Sequence, residues 1–319
     1  MRPRLRFPGK ARFAFTVIDD TDVATVDNVL PIYRLFESLG MRTTKTVWPF
    51  RCEEGSRDFS LSETMDDPHY CEFVADLQRR GFEIAFHGAT METSARERTE
   101  RALERFRLAF GGPPRVHANH SHNRENLYWG VHRLDVPLLR LVYRLIGGKG
   151  KNYFQGHRSD SPYWWGDLCA QQIEYVRNLT FSEINVLRLN PSMPYHDPAR
   201  PHVRWWFSGA EAEDVDEFID LLRPENQDRL EAEGGVCILC THLGKGYSSN
   251  GRVHPEAQRL LERLAKRPGM FVPVGELLDW LGAQRADPGL PRREWRRMQW
   301  RWAWDLVGRR LSARQRAHA

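Results

Sequence analysis

The sequence predicts an α/β fold built on parallel strands, and three observations carry that expectation. Short apolar runs of strand character alternate with stretches of helical periodicity. Glycines such as Gly40, Gly81 and the pair Gly111-Gly112 close the helical stretches. Acids and histidines then fall directly behind the strand-like runs, where parallel α/β folds carry their active sites.

The first run, Phe13-Ala-Phe-Thr-Val-Ile-Asp-Asp-Thr-Asp22, is an apolar strand that ends in adjacent carboxylates, Asp19 and Asp20. Neighbouring side chains on a strand point to opposite faces, but a pair at the exit can turn toward one pocket. Val26 to Leu39 reads as a helix with Ile32, Tyr33, Leu35, Phe36 and Leu39 on one face. Met41 to Trp48, rich in Thr and Val, reads as the second strand. Asp67-Pro68 opens a helix through Phe73 and Leu77, since proline suits a first helical turn. Phe82 to Phe86 is the third strand, with His87 directly behind it, and Ser94-x-x-Glu97 suggests a capping box for a helix to about Phe110. Arg115 to Ala118 is a short fourth strand. The middle, about residues 119 to 210, is irregular and rich in Trp, Tyr, Pro and His. Regularity returns with a helix at Val215 to Leu222 and a buried strand, Val236 to Thr241, that ends at His242. A helix around His254 to Lys266, a strand Met270 to Val274 and a helix Glu276 to Leu281 follow. Arg292 to Leu311 reads as a last helix.

Composition narrows the function classes. The 319 residues are 41% apolar and 28% charged, as in a soluble globular protein with a sizeable core. No apolar run approaches the roughly 20 residues that cross a bilayer. The start is a poor secretory signal. Five scattered cysteines fit reduced thiols better than a disulfide framework, and Cys237-Ile-Leu-Cys240 lies within a strand-like run. These features point to the cytoplasm. Residues 291–319 hold nine arginines against one Asp and one Glu, so the surplus of positive charge sits in the tail. The body needs no nucleic-acid partner, since a docking face would spread its basic residues.

Chemistry-bearing residues gather at strand exits: Asp19 and Asp20 after the first, His87 after the third, His117, His120 and His122 after the fourth, His242 after a late one. Carboxylates and imidazoles on one rim suit a catalytic Zn²⁺ or similar divalent ion. His69, His132 and His157 read as surface or packing residues.

At this point the chain resembles the polysaccharide deacetylase family, with the NodB-homology or carbohydrate esterase family 4 fold. Ala14-Phe-Thr-Val-Ile-Asp-Asp20 is similar to its first motif, and Arg80-Gly-Phe-Glu-Ile-Ala-Phe-His-Gly88 to the stretch that supplies a metal-binding histidine. Leu239-Cys-Thr-His242 is similar to the late Leu-His motif, and Gly269-Met-Phe-Val-Pro-Val274 with its following helix to the closing elements. The likeness spans about residues 11–282 without aligning through the middle. It implies a distorted (β/α) barrel with an irregular middle insertion over residues 1–290, and the Arg/Trp-rich helix read over 291–319 lies beyond it. It further implies Asp19 as general base, Asp20 and His87 as metal ligands, His242 as the acid that protonates the departing amine, and a divalent metal, with Zn²⁺ first.

Two departures follow. Met91 stands where the family places its next histidine, and a thioether is a poor ligand for a hydrolytic metal. The third motif is replaced by Val116-His-Ala-Asn-His-Ser-His-Asn-Arg-Glu-Asn-Leu-Tyr-Trp-Gly130. His120 is therefore expected as the missing ligand. Asn119, His122, Asn123, Arg124 and Glu125 would serve the substrate, with Trp165 and Arg204 as further contacts from the aromatic middle. The implied activity is removal of an acetyl group from an N-acetylated sugar or surface-glycan precursor, lipid-linked in one version, such as a lipopolysaccharide or O-antigen intermediate. A glycan-binding or assembly protein without catalysis, and a hydrolase of another amide or ester, stay open. The last helix carries two apolar stripes, Trp295, Met298, Trp302 and Leu306 against Trp300, Trp304, Val307 and Leu311. One would dock on the body and the other meet a partner subunit or the inner membrane.

Overall fold

The computed structural model describes residues 5–53, 56, 62–146, 150, 152–285 and 289–317, with residue 146 and residues 310–317 as backbone alone. The chain opens with β1 (Phe13–Asp19), α1 (Val26–Ser38), β2 (Thr44–Val47), α2 (Pro68–Arg79), β3 (Glu83–Phe86), α3 (Arg96–Phe110) and β4 (Val116–His117). It continues through α4 (Pro137–Ile146), α5 (Gly166–Gln172), β5 (Tyr175–Phe181), β6 (Trp205–Glu211), α6 (Val215–Leu221), α7 (Pro224–Ala232) and β7 (Val236–Thr241). A small hairpin, β8 (Ser248–Ser249) with β9 (Arg252–Val253), precedes α8 (Pro255–Ala265), β10 (Gly269–Met270), α9 (Val274–Ala283) and α10 (Arg292–Ala317).

β1 to β7 run parallel, each beside the next, and β7 pairs back onto β1 from Ala14↔Val236 to Asp19↔Thr241. The sheet is thereby a closed seven-stranded barrel, the (β/α) barrel expected from the sequence. β10 lies beside the first residues of β1, on the edge that β2 takes up only at Ile18. All seven residues of β1 and all six of β7 are buried, as strands covered on both faces require. Gly209 permits the closure, because a Cβ there would lie 2.2 Å from Cys240 Sγ on β7.

Local chemistry sets most element ends. Thr25 caps α1 in a reciprocal box with Asn28, and Gly111 ends α3 in the left-handed conformation at φ 77°. The capping box expected at Ser94 does not form. The Ser94 amide donates instead to the buried carboxylate of Glu125, and its hydroxyl to Glu92 O, so α3 starts behind Ala95. The strand expected at Met270 to Val274 shrinks to Gly269–Met270 because α9 already begins at Val274.

The largest difference lies in the middle. The stretch read as irregular supplies two barrel strands, β5 and β6, and the Trp205-Trp-Phe207 cluster belongs to β6. Arg177 and Asn178 interrupt the apolar pattern of β5, yet both are buried and partnered.

α10 packs on β5 and α4, with Trp295, Met298 and Trp302 buried. Gln299 Oε1 accepts from the amides of Asp135 and Val136, and Trp295 Nε1 donates to Asp135. Trp300, Trp304 and Val307 of the second stripe are exposed. The side chain of Leu311 lies outside the described residues. Among those residues no helix is long and apolar enough to cross a membrane.

Candidate active site

A cavity of about 410 Å³ opens at the carboxyl ends of the strands, and Asp20, Asp22, His87, Met91, His120 and His242 line it. A larger cavity, about 720 Å³, lies at the opposite ends of β1 and β7. Its acids Glu231 and Glu233 are paired with Arg12 and Arg188, and it holds no histidine.

The two adjacent carboxylates separate at the end of β1. Asp19 faces the helix layer: its Oδ2 lies 3.0 Å from Lys45 Nζ and accepts from Tyr33 of α1, while Oδ1 accepts from the Leu243 amide. Neither Asp19 nor Lys45 is exposed, and the negative neighbour raises the Lys45 pKa despite burial. Asp19 does not line the cavity. Asp20 does, and Arg177 of β5 reaches across the barrel mouth to grip both its oxygens at 2.9 and 2.5 Å. Burial alone would raise the Asp20 pKa, but the guanidinium holds it below the usual range.

Asp22 is the centre of the site. His242 Nε2 lies 3.0 Å from its Oδ2, His87 Nε2 3.5 Å from the same oxygen, and His120 Nε2 3.2 Å from Oδ1. Burial would raise its pKa, but the imidazoles of His120, His242 and His87 hold it well below the carboxylate range. His120 and His242 are pushed up in turn against the desolvation of burial, His242 to about 9.

The far nitrogens of these rings fix their tautomer. His87 Nδ1 sits 2.9 Å from Ala118 O, and His242 Nδ1 2.9 Å from Glu213 O. A carbonyl only accepts, so both nitrogens carry hydrogen. His120 Nδ1 lies 3.0 Å from Asn123 Oδ1, and the Asn123 amide nitrogen donates to Thr90 O, Glu92 O and Glu125, which orients the amide. Neutral rings in this state aim three Nε2 lone pairs at one carboxylate. A cation shared between them satisfies such an arrangement, as protonation of the rings does, and among the described residues His87 Nε2 and Asp22 Oδ1 are buried atoms without a hydrogen bond. Oxygens of Asp20 and Asp22 and a ring nitrogen of His242 also lie within 4.8 Å of one another. Imidazoles oriented by carbonyls around a carboxylate fit a divalent cation.

The other expected residues divide sharply. Asn119 and His122 line the cavity, and Asn119 Nδ2 is buried with no partner among the described residues, its Oδ1 being taken by the Leu127 amide. Asn123 and Glu125 lie behind His120, and burial raises the Glu125 pKa to about 7. Trp165 is a core residue against Phe86 and His117. Arg124 stacks on Tyr163 and Tyr153, and Arg204 reaches Ala170 O. These five are thus held away from the cavity by their own partners. Met91 is on the cavity wall, and His120 lies beside Asp22. His132 and His157 pack on each other.

Two residues of the site, Asp22 and Arg177, were not expected from the sequence. Asp22 follows the carboxylate pair by two residues in the opening run, a third acid at a strand exit. Arg177 carried no signal once its strand went unseen.

No family model and no curated protein matches the sequence. Solved structures do. A protein from Mycobacterium smegmatis assigned as a polysaccharide deacetylase superposes with a TM-score of 0.52 at 14% identity, covering 91% of this chain and 98% of that one. Puue allantoinase gives 0.51 at 14% identity, covering 89% and 95%. The chain therefore has the NodB-type fold of these proteins.

Proposed function

We propose that this protein is a metal-dependent hydrolase that removes an acetyl group from an N-acetylated amino sugar of a surface-glycan precursor. The observation that carries the reading is the Asp22 carboxylate ringed by the Nε2 atoms of His87, His120 and His242 beside the ionised Asp20. Likeness in fold to a polysaccharide deacetylase and an allantoinase, both hydrolase names, supports it.

Asp22, His87 and His120 would hold the divalent ion, and Zn²⁺ suits this imidazole-rich set. Such an ion supplies polarisation of the amide carbonyl and a water of lowered pKa. Asp20, which lines the cavity as Asp19 does not, would take the proton of the attacking water, and the two-pronged hold of Arg177 orients it. His242 keeps one nitrogen on Glu213 O and turns Nε2 to the cavity, where it can return a proton to the departing nitrogen. The C–N bond breaks, leaving acetate and a free amine. The idle Asn119 Nδ2 is a donor for the substrate.

Presentation of a lipid-linked substrate on the cytoplasmic face of a membrane fits the flank of the cavity. α4 exposes Leu138, Leu141, Val142 and Leu145, and the neighbouring α10 exposes Trp304 and Val307, with Arg144, Arg296 and Arg297 also at the surface. Apolar side chains with arginines suit an anionic bilayer. Co-sedimentation with vesicles rich in phosphatidylglycerol, weakened by salt and by Leu145→Asp, is the expected result. Equal binding to purely zwitterionic vesicles, or none to either, would remove this part of the reading.

The activity is tested by incubating N-acetylglucosamine-containing substrates with the protein and assaying acetate, with and without chelator. Chelator-sensitive release is expected. Tight glycan binding without release would favour the binding-protein alternative.

A further inference from the structure

Four cationic side chains line the cavity, and three of them are neutralised. Arg177 is paired with Asp20, Lys245 with Glu213, and Arg309 with Glu211 and Asp305. The fourth, Arg133, has no carboxylate partner among the described residues. It closes the short turn Gly130–Arg133 and is only 7% exposed.

Its surroundings are aromatic. The guanidinium carbon lies 3.4 Å from the ring centroid of Trp129 and 5.5 Å from that of Trp302 on α10. Both rings attract the cation through their faces, but neither accepts its N–H groups in the ring plane. Nε and Nη2 are accordingly buried without a hydrogen-bond partner among the described residues. Glu211, which contributes to the field at Arg133, is already occupied by Arg309 and Thr180. A desolvated guanidinium with idle donors is costly to keep, and the cavity wall is where that cost has a use. Its planar fork matches a carboxylate or a phosphate through two parallel hydrogen bonds.

We infer that Arg133 receives an anionic substituent of the substrate, a carboxylate or a phosphate borne by the amino sugar, with Trp129 and Trp302 flanking it. The natural substrate class is then acidic N-acylated sugars rather than neutral ones. This specificity rests on the reading of the cavity as a substrate site, but its test needs no turnover. The first, hydrolytic reading is judged by acetate release alone.

Binding of N-acetylmuramic acid, N-acetylglucosamine 1-phosphate and N-acetylglucosamine to the full-length protein is measured by calorimetry and by tryptophan fluorescence. One or both acidic sugars should bind about 10- to 100-fold more tightly than the neutral one, with quenching from the flanking indoles. Which of the two gains identifies the group as carboxylate or phosphate. Arg133→Met, close in volume, should bring all three to the affinity of the neutral sugar, and Arg133→Gln provides a second variant if the first does not fold. Equal wild-type affinities overturn the inference, as does an acid preference that survives loss of the guanidinium. Anion-selective binding without acetate release would sustain Arg133 as the anion receptor while the hydrolytic reading fails.

Discussion

The carboxylates of Asp19 and Asp20 point to opposite sides of the barrel wall. Asp19 is buried against Lys45 at 3.0 Å, and Asp20 faces the cavity in the grip of Arg177. Adjacent acids on one strand end thus serve two different tasks. The first ties β1 to β2 and α1, and the second lines the candidate site.

This division predicts a stability effect confined to the inner pair. Removing one partner of a fully buried ion pair leaves a desolvated charge, which costs about 3–5 kcal/mol. Asp19→Asn and Lys45→Met should each lower unfolding free energy in urea by that order, and the joint variant should recover part of the loss. Single variants within about 0.5 kcal/mol of wild type, the size of an ordinary surface change, would show that the pair is not structural.

Asn123 reaches the site only through His120. Its Oδ1 accepts the Nδ1 hydrogen and leaves Nε2 free toward Asp22. Asn123→Ala should weaken Zn²⁺ binding by about 10- to 100-fold in calorimetric titration while the circular dichroism spectrum stays unchanged. Unchanged affinity would mean that His120 is not held by this contact.

Glu125 ties pH to stability. Burial lifts its folded pKa to about 7 from an ordinary 4.5. Between those values the native state keeps a proton that the unfolded chain has lost, so stability falls as pH rises through the window. The shift is worth on the order of 3 kcal/mol. Glu125→Gln removes this titration, so its stability relative to wild type should improve from pH 4.5 to 7.5 in denaturant melts. A difference that stays flat with pH would contradict the assignment.

Much of the fold was readable because β1, β3 and β7 are mainly apolar runs, and a helix or a turn glycine marks most of their boundaries. β5 was not, since Arg177 and Asn178 break its pattern, and what satisfies them lies far off in sequence: Asp20 and Tyr195. The site shows the same limit. His87, His120 and His242 stand out at strand exits, but which acid they surround depends on how the chain turns after β1. That turn passes Thr21, whose amide is held by Thr46, and it delivers Asp22 to the three imidazoles where Asp20 was expected. Asn123, Glu125 and Trp165 look like ligand-binding residues in sequence, yet burial assigns them to the support behind the site.

The central claim is most directly tested by acetate release from N-acetylated amino sugars, using wild-type and Asp22→Ala protein stripped with chelator and then supplied with Zn²⁺. Wild type should release acetate only after Zn²⁺ is restored, and Asp22→Ala should stay at least about 100-fold slower under the same conditions, as expected when a group central to the chemistry is lost. Release that survives chelation, or an Asp22→Ala variant as active as wild type, would contradict the account.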